Sequence, residues 1–228
     1  MSLENGDKGQ IQPFAVTISR QLGSGGAYIG QRLAAKLNAM YLDHEILRHA
    51  AEKLRISEDY LESRDETVTP AWQSILLSTN YSAPTLYTPP EISIPTDQEL
   101  YKVESEIISR IAQSYNAVIV GRGGSYILRQ HPRHVSLFLY ASLPFRQQRV
   151  QEIYHIPGEK ALKLIESSDR MRARYLRSVA GQDWADARQY HFCLDTSILG
   201  LGKAESVIYD YLKMRFDHIR LSETKANQ

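Results

Sequence analysis

Short apolar segments alternate with stretches of helical periodicity along the chain of 228 residues. The apolar segments are 14–19, 39–43, 117–120, 135–140 and 190–194. The stretches with helical spacing follow them at 29–37, 44–54, 99–115, 144–154, 158–178 and 204–216. The strand segments are continuously apolar rather than alternating, which is typical of strands covered on both faces. The pattern therefore predicts an α/β fold in three layers (α/β/α), with a five-stranded parallel sheet.

The chain opens on a strand, a glycine-rich turn and a helix. Phe14 to Ser19 is the strand segment; Gly23, Gly25 and Gly26 follow it, and a helical apolar face begins at Ile29. Glycines let a backbone come close to a ligand, and a helix start offers unpaired N–H groups and a positive dipole end. The unit predicts a phosphate-binding turn, with an ordinary tight strand–helix connection as the alternative.

Two strict phosphate-binding patterns are absent from this turn. Gly25 and Gly30 have the spacing of the P-loop glycines, but Gln31 and Arg32 follow where lysine and serine or threonine belong. The dinucleotide pattern fails because Tyr28 takes the place of its third glycine. The spacing alone leaves both interpretations of the turn open.

Residues suited to phosphate and metal chemistry follow three of the predicted strands. They are Arg20, Asp43 and Arg122, and parallel strands bring such residues to one edge of the sheet. Arg122 would present a planar fork to a phosphate, with a surface arginine that caps a loop as the alternative. Asp43 would hold Mg²⁺ through water or accept a proton, and it is also a candidate helix N-cap.

The helix predicted at 158–178 is rich in arginine. Arg170, Arg174 and Arg177 share one face, whereas Arg172 points elsewhere and pairs with an acidic neighbour, Asp169 or Glu166. Like charges at this spacing destabilise an isolated helix, so an anion that binds there would explain them. The alternative is a solvated basic stripe.

Composition and charge narrow the class of protein. The hydrophobic fraction of 43% and the charged fraction of 23% are ordinary for a globular chain. A net charge of +1 argues against a general nucleic-acid binder, and no apolar run approaches the ~20 residues that span a bilayer. The single cysteine, Cys193, fits a cytoplasmic location.

His131 and His134 flank a proline and are expected on the surface, and Trp184 is expected to pack near the last strand.

The ordered motifs resemble the cytidylate kinase-like family, a group of P-loop proteins related to bacterial cytidylate kinases. The segments that carry the resemblance are VTISRQLGSGGAYIGQRLA, YLDHEIL, VIVGRGG, SSDRMRARY and DWADARQYHFCLDTS. Residues 1–12 are predicted to be a disordered leader, and the resemblance implies a nucleoside monophosphate kinase fold in one domain at 13–228. It also implies an acceptor-binding insertion at about 55–100 and a helical lid at about 155–180.

The resemblance also implies roles for individual residues and a reaction. Arg122 would grip the acceptor's phosphate, Asp43 would lie beside Mg²⁺, and Arg170 and Arg174 would be lid arginines. ATP would bind at the glycine-rich turn and its neighbours: Arg20, Gly23, Ser24, Gly25, Gly26, Ala27 and Tyr28. The expected activity is phosphoryl transfer from ATP, with Mg²⁺, to a nucleoside monophosphate or a similar small phosphorylated acceptor.

The chain departs from the family pattern at the residues most important for catalysis. Gly26 stands where the P-loop lysine belongs, Tyr28 replaces the magnesium-binding serine or threonine, and Gly123 replaces an aspartate. Arg20 or Arg32 would have to supply the missing charge. These departures favour a second hypothesis, a nucleotide-binding or regulatory protein that keeps the fold without turnover. Nucleic-acid binding by the arginine-rich helix is a third.

Overall fold

The computed structural model describes residues 12–47 and 98–226, with side chains at 12–47 and 101–217. The strands in this part of the chain are β1 Ala15–Arg20, β2 Met40–Leu42, β3 Ala117–Val120, β4 His134–Tyr140 and β5 Phe192–Asp195. The helices are α1 Gly26–Lys36, α2 Gln98–Ser114, α3 Gly124–Ile127, α4 Leu143–Tyr154, α5 Gly158–Ala180, α6 Thr196–Leu199 and α7 Leu201–Ala226. A short 3₁₀ turn, Ala187–Gln189, precedes β5.

The strands form one parallel sheet in the order β2-β3-β1-β4-β5, with helices on both faces. The predicted five-stranded, three-layer fold is therefore confirmed. Strand β1 lies at the centre, and the register that pairs Ile18 with Val120 brings the ends of β1 and β3 side by side. The loops that carry Arg20 and Arg122 consequently emerge from neighbouring strands at the same edge.

Burial explains why the apolar segments form these strands. Every residue of β3 is buried, as are the apolar residues at the start of β1. Gly30 lets α1 approach the sheet, because a Cβ there would lie 2.8 Å from Val120 Cγ2. On its other side α1 contacts α7, where Arg32 and Lys36 both pair with the buried carboxylate of Glu205. These contacts hold α1 between the sheet and α7.

Element boundaries differ from the predictions mainly at the carboxyl-terminal end. Strand β5 begins at Phe192 rather than at residue 190, and α7 begins at Leu201 and continues to Ala226. Helix α5 ends where Gly181 adopts a left-handed φ of 65°. The predicted insertion falls mostly, and the predicted leader almost entirely, outside the described residues. None of the described helices has the length and apolarity needed to cross a bilayer.

The structure confirms one packing prediction and corrects another. Trp184 is buried and packs edge-on against Phe138, near β5 as expected. His134 is not on the surface: it begins β4 and is only 5% exposed. Its Nε2 lies 2.8 Å from the Thr17 hydroxyl, and the ring also hydrogen-bonds to the backbone of Leu128. The prediction failed because the strand begins one residue earlier than the apolar run suggested.

This buried histidine makes stability depend on pH. Burial, aided by the neighbouring His191 and His131, lowers the pKa of His134 from 6.5 to about 3. Below pH 6.5 the unfolded chain binds a proton that the folded chain excludes. We therefore expect His134 to reduce the free energy of unfolding by ~1.4 kcal/mol per pH unit down to about pH 3. Urea denaturation of wild type and His134→Gln at several pH values measures the difference, and equal acid slopes would contradict it.

Candidate active site

The glycine-rich turn has no room for side chains at its left-handed positions. Gly23 and Gly25 have φ values of 85° and 86°. A Cβ on Gly23 would lie 2.7 Å from the carbonyl oxygen of Arg146 in α4, and one on Gly25 would collide with Leu201 of α7. Both helices therefore enclose the turn, and glycine is required there for conformation and for space.

The turn presents the amino-terminal end of α1 to its surroundings. Gly25 is the N-cap, and no described side chain caps the helix. The Ser24 hydroxyl instead donates to the carbonyl of Gln21 at 2.9 Å, and Thr196 donates to the carbonyl of Ser24 at 2.8 Å. These bonds hold the turn's carbonyls within the protein, while the positive end of the helix dipole is directed to an adjacent hollow.

Two hollows lie along this edge of the sheet. The glycine-turn hollow is lined by residues 20–23 and 25–27, by Arg149, Val150, Ile153 and Tyr154 of α4, and by Arg172. The Arg122 hollow is lined by Ser19, Arg20, residues 121–123, and Arg172, Tyr175, Leu176 and Trp184. Arg20 and Arg172 line both, so their side chains lie where the two hollows meet. Among the described lining residues, four are arginines and none is aspartate or glutamate.

Arg20 connects the glycine turn with the loop after β3. Its Cβ and Cγ are packed so closely on Gly26 that a Cβ there would be 2.7 Å from each. Its guanidinium reaches Gly121, where a Cβ would collide with Nη1. Gly121 also has a φ of 86°, so glycine is needed there on both counts.

Arg122 is held in an uncommon conformation at the bottom of its hollow. Its φ is 53°, between Gly121 and Gly123, which also have positive φ values. The side chain is buried, forms an ion pair with Glu104 of α2, and lies 5.1 Å from the ring centre of Tyr175. Burial lowers the pKa of Arg122. Arg122 is therefore not a surface arginine, and strain of this kind is often found at functional sites.

Asp169 of α5 holds Arg172, the second arginine that lines both hollows. Its Oδ1 accepts bonds from the amide of Leu22 at 2.9 Å and from Arg172 at 3.2 Å, and its Oδ2 accepts one from Arg146 at 2.6 Å. One carboxylate thus joins α5, α4 and the entry to the glycine turn. Burial and the charge of Arg20 lower the pKa of Arg172 to about 9, even with Asp169 beside it. Positive charge is concentrated between the hollows.

Asp43 follows β2 as predicted and acts as an N-cap. It is buried, and its Oδ1 accepts bonds from the amides of Glu45 and Ile46 at 3.1 and 3.2 Å. It lies at the same sheet edge as Arg122 but is not among the residues that line the two hollows. No group of three or more His, Cys, Asp or Glu residues in the described part could hold a metal ion.

The predicted site residues are only partly brought together. Arg20, Arg122 and most of the turn residues line the two hollows, but Ser24, which is buried, and Tyr28 do not. Arg170 and Arg174 are exposed to solvent, as is Arg177. Arg170 pairs with Glu166 at 3.6 Å. The face of α5 that lies over the site carries Asp169 and Arg172 instead. Helical spacing predicts which arginines share a face but not which face lies against the sheet, so the role of Arg170 and Arg174 as lid arginines stays a prediction. In the sequence, the i, i+3 spacing of Asp169 and Arg172 was the one indication that this other face carries an ion pair.

We expect the Asp169 carboxylate to contribute strongly to stability. Asp169→Asn would leave Arg146 and Arg172 without their shared counterion, and breaking a largely buried pair in this way costs roughly 3 kcal/mol. Glu166→Gln is the matched control, because this exposed pair on the same helix contributes about 0.5 kcal/mol or less. Urea denaturation of the two variants measures both effects. Similar losses in both would contradict the role of Asp169.

Comparison with known proteins places the chain in a family. The model of the cytidylate kinase-like family matches residues 15–198, well over half of the chain. No protein of curated function matches its sequence. A solved structure of an uncharacterized protein from Eubacterium ventriosum is 21% identical, with a TM-score of 0.66 over 88% of this chain and 98% of that one.

Less similar structures include shikimate kinases. The enzyme from Bacteroides thetaiotaomicron is 12% identical, with a TM-score of 0.47 over 88% of this chain and 98% of its own. The enzyme from Acinetobacter baumannii, solved with shikimate, is 13% identical, with a TM-score of 0.44 over 89% and 94% of the respective chains. The family match and the parallel sheet that it accompanies therefore establish that this chain belongs to the cytidylate kinase-like family.

Proposed function

We propose that the protein transfers the terminal phosphoryl group of ATP to a nucleoside monophosphate, cytidylate-like, or to a similar small phosphorylated acceptor. The observation that carries the proposal is the lining of the two hollows, with four arginines and no carboxylate among the described residues. Two adjoining cationic hollows suit a reaction that brings two phosphorylated molecules together. We place this reaction in the cytoplasm, where ATP is available.

The chemistry requires positioning and charge rather than a side-chain nucleophile. An oxygen of the acceptor's phosphate forms a bond to the γ-phosphorus as the bond to the β,γ-bridging oxygen breaks, and ADP leaves with that electron pair. The acceptor oxygen is already anionic at neutral pH, so no base has to remove a proton. Negative charge spreads over the transferred group, and fixed arginines stabilise it. Arg20 and Arg172, at the junction of the hollows, are placed to do so.

In this proposal the donor and acceptor use different hollows. The glycine turn and the start of α1 would bind the phosphates of ATP, with Arg149 beside them; its Nε donates to the carbonyl of Gly23 at 3.1 Å. The Arg122 hollow would bind the acceptor's phosphate. The Arg122–Glu104 ion pair would fix that guanidinium in place, and the Tyr175 ring limits its other conformations.

The residues present are compatible with Mg²⁺ bound to the nucleotide. Mg²⁺ in kinases keeps several waters and uses one or two carboxylates together with the substrate's phosphates. Asp43 provides one buried carboxylate, whose Oδ1 is engaged by two amides. Because Asp43 lies outside the lining of both hollows, we assign to it a contact through water rather than a direct one. When bound, the metal ion would neutralise part of the phosphate charge.

Nucleotide binding without turnover is the second candidate function. The observation that favours it is Gly26, which stands where the resemblance places the P-loop lysine. Binding survives such a loss more easily than catalysis, because the main-chain amides and the remaining arginines still hold phosphates. The two functions make the same prediction for ATP binding and opposite predictions for ADP release.

A coupled ADP-release assay over a panel of monophosphates separates these functions. We expect turnover with at least one acceptor, and a loss of about 100-fold or more in kcat/KM when Arg122 is neutralised. Because Arg122→Gln alone leaves Glu104 buried and unpaired, the informative variant is the double substitution Arg122→Gln/Glu104→Gln. The matched control is Arg129→Ala, an exposed arginine that packs on Tyr126. ATP binding without ADP release from any acceptor would establish the second function instead.

Two substitutions at Asp43 distinguish the role of its negative charge from its role as a helix N-cap. Asparagine is a good N-cap, so Asp43→Asn should retain stability while it lowers kcat at least 10-fold by removing the carboxylate. Asp43→Ala should lose the same activity and also about 1 kcal/mol of stability. Steady-state kinetics at several Mg²⁺ concentrations and thermal unfolding provide the two measurements. Full activity in Asp43→Asn would restrict Asp43 to its structural role.

A further inference from the structure

We propose that Arg20 supplies the positive charge that a lysine at position 26 would supply in a standard P-loop. The inference rests on the proposed function and deepens it, because it assigns the charge that holds the donor's terminal phosphates. In the strict pattern, that lysine follows the last glycine and reaches the β- and γ-phosphates. Here the resemblance places Gly26 at its position.

The first step is steric. A Cβ on Gly26 would lie 2.7 Å from both Cβ and Cγ of Arg20, closer than real Cβ contacts allow. The contact is with the base of the arginine side chain, close to the backbone, where it has least freedom to move. Arg20 at the end of β1 and a long side chain at the start of α1 therefore exclude each other. The space between the end of β1 and the start of α1 has room for one cationic side chain, and in this protein Arg20 occupies it.

The second step concerns where the charge lies. From Gly26 the Arg20 side chain extends to Gly121, which would collide with the guanidinium if it carried a Cβ. Arg20 thereby lines the glycine-turn hollow and the Arg122 hollow. A cation between donor and acceptor is suited to contact a phosphoryl group as it moves from one to the other.

The third step concerns the other arginines at this edge. The charge of Arg20 contributes to lowering the pKa of both Arg122 and Arg172. Like charges this close raise the free energy of the empty site, and a bound polyphosphate would relieve that repulsion. Asp169 compensates only part of the charge on Arg172. Three guanidinium groups thus converge at this edge, where a polyphosphate would meet all of them, and Glu104 and Asp169 pair with two of the three.

Arg32, the other candidate for the missing charge, lies elsewhere. Its Nε donates to Glu205, whose side chain is only 2% exposed, and its guanidinium lies 5.6 Å from the ring centre of Tyr28. These contacts bind α1 to α7, and Arg32 is not among the residues that line the two hollows. The sequence offered both Arg20 and Arg32 as the source of the missing charge, and in the structure only Arg20 lies at the hollows.

Titration calorimetry with ATP and with adenosine tests this assignment in the full chain. We expect Arg20→Gln to weaken ATP binding by about 10- to 100-fold, as for a lost hydrogen bond to a charged group. Adenosine affinity should change less than threefold, because adenosine carries no phosphate for Arg20 to contact. Arg32→Gln should leave ATP affinity unchanged. If Arg20→Gln does not fold, Arg20→Lys takes its place: it keeps the charge without the fork, and we expect an intermediate loss.

An exchange of the two positions provides the decisive variant. Gly26→Lys alone should lower the unfolding temperature, because its side chain meets Arg20. The double variant Arg20→Gly/Gly26→Lys should remove that clash and bind ATP within about tenfold of wild type. The assignment is overturned if Arg20→Gln binds ATP like wild type, if Arg32→Gln shows the loss instead, or if the double variant is no better than Arg20→Gln.

These titrations, together with the ADP-release assay, separate this inference from the proposed function. If Arg20→Gln weakens ATP binding but the wild type releases no ADP with any monophosphate, the kinase proposal is overturned and the assignment of Arg20 stands. If the wild type releases ADP and Arg20→Gln binds ATP as tightly as the wild type, the kinase proposal stands and the assignment is overturned. A wild type with no affinity for ATP would overturn both.

Discussion

The side chain of Arg20 lies across Gly26 and ends against Gly121, and the candidate site depends on this contact. It fills the gap between the end of β1 and the start of α1, where a side chain at position 26 would otherwise project. It also carries a guanidinium from the glycine turn to the loop of Arg122. Because β1 and β3 are adjacent and parallel, one arginine can reach both loops. The side chain that fills the space beside Gly26 therefore also places its positive charge at both hollows.

The surrounding helices hold that charge in place through a small number of buried polar contacts. Asp169 joins α5, α4 and the amide of Leu22, and Glu104 pairs with Arg122. Each carboxylate serves an arginine that lies beside a hollow, yet neither carboxylate lines the hollows. The acidic groups thus orient cations without presenting negative charge to a phosphate. Preorganised cations of this kind are what phosphoryl transfer requires, since its catalysis is mainly positioning and electrostatics.

The sequence predicted the sheet well because its strands are short, apolar and separated by glycine-rich or polar turns. The turn at Gly23–Gly26 and the arginine after β3 were predicted for the same reason, since residues after parallel strands must meet at one edge. Other features depend on tertiary contacts that periodicity cannot supply. Helical spacing placed Arg170 and Arg174 on one face but could not show that this face meets solvent. Likewise, the choice between Arg20 and Arg32 needed the contact with Gly26 and the ion pair with Glu205.

A crystal structure of the protein with Mg²⁺ and a non-hydrolysable ATP analogue tests the central claim most directly. The account predicts that the β- and γ-phosphates lie against the Gly23–Gly26 turn, with the guanidinium of Arg20 within hydrogen-bond distance of a γ-phosphate oxygen. The Arg122 hollow should remain open for the acceptor. A triphosphate bound elsewhere, or one bound at the turn with no phosphate oxygen within hydrogen-bond distance of Arg20, would contradict the account.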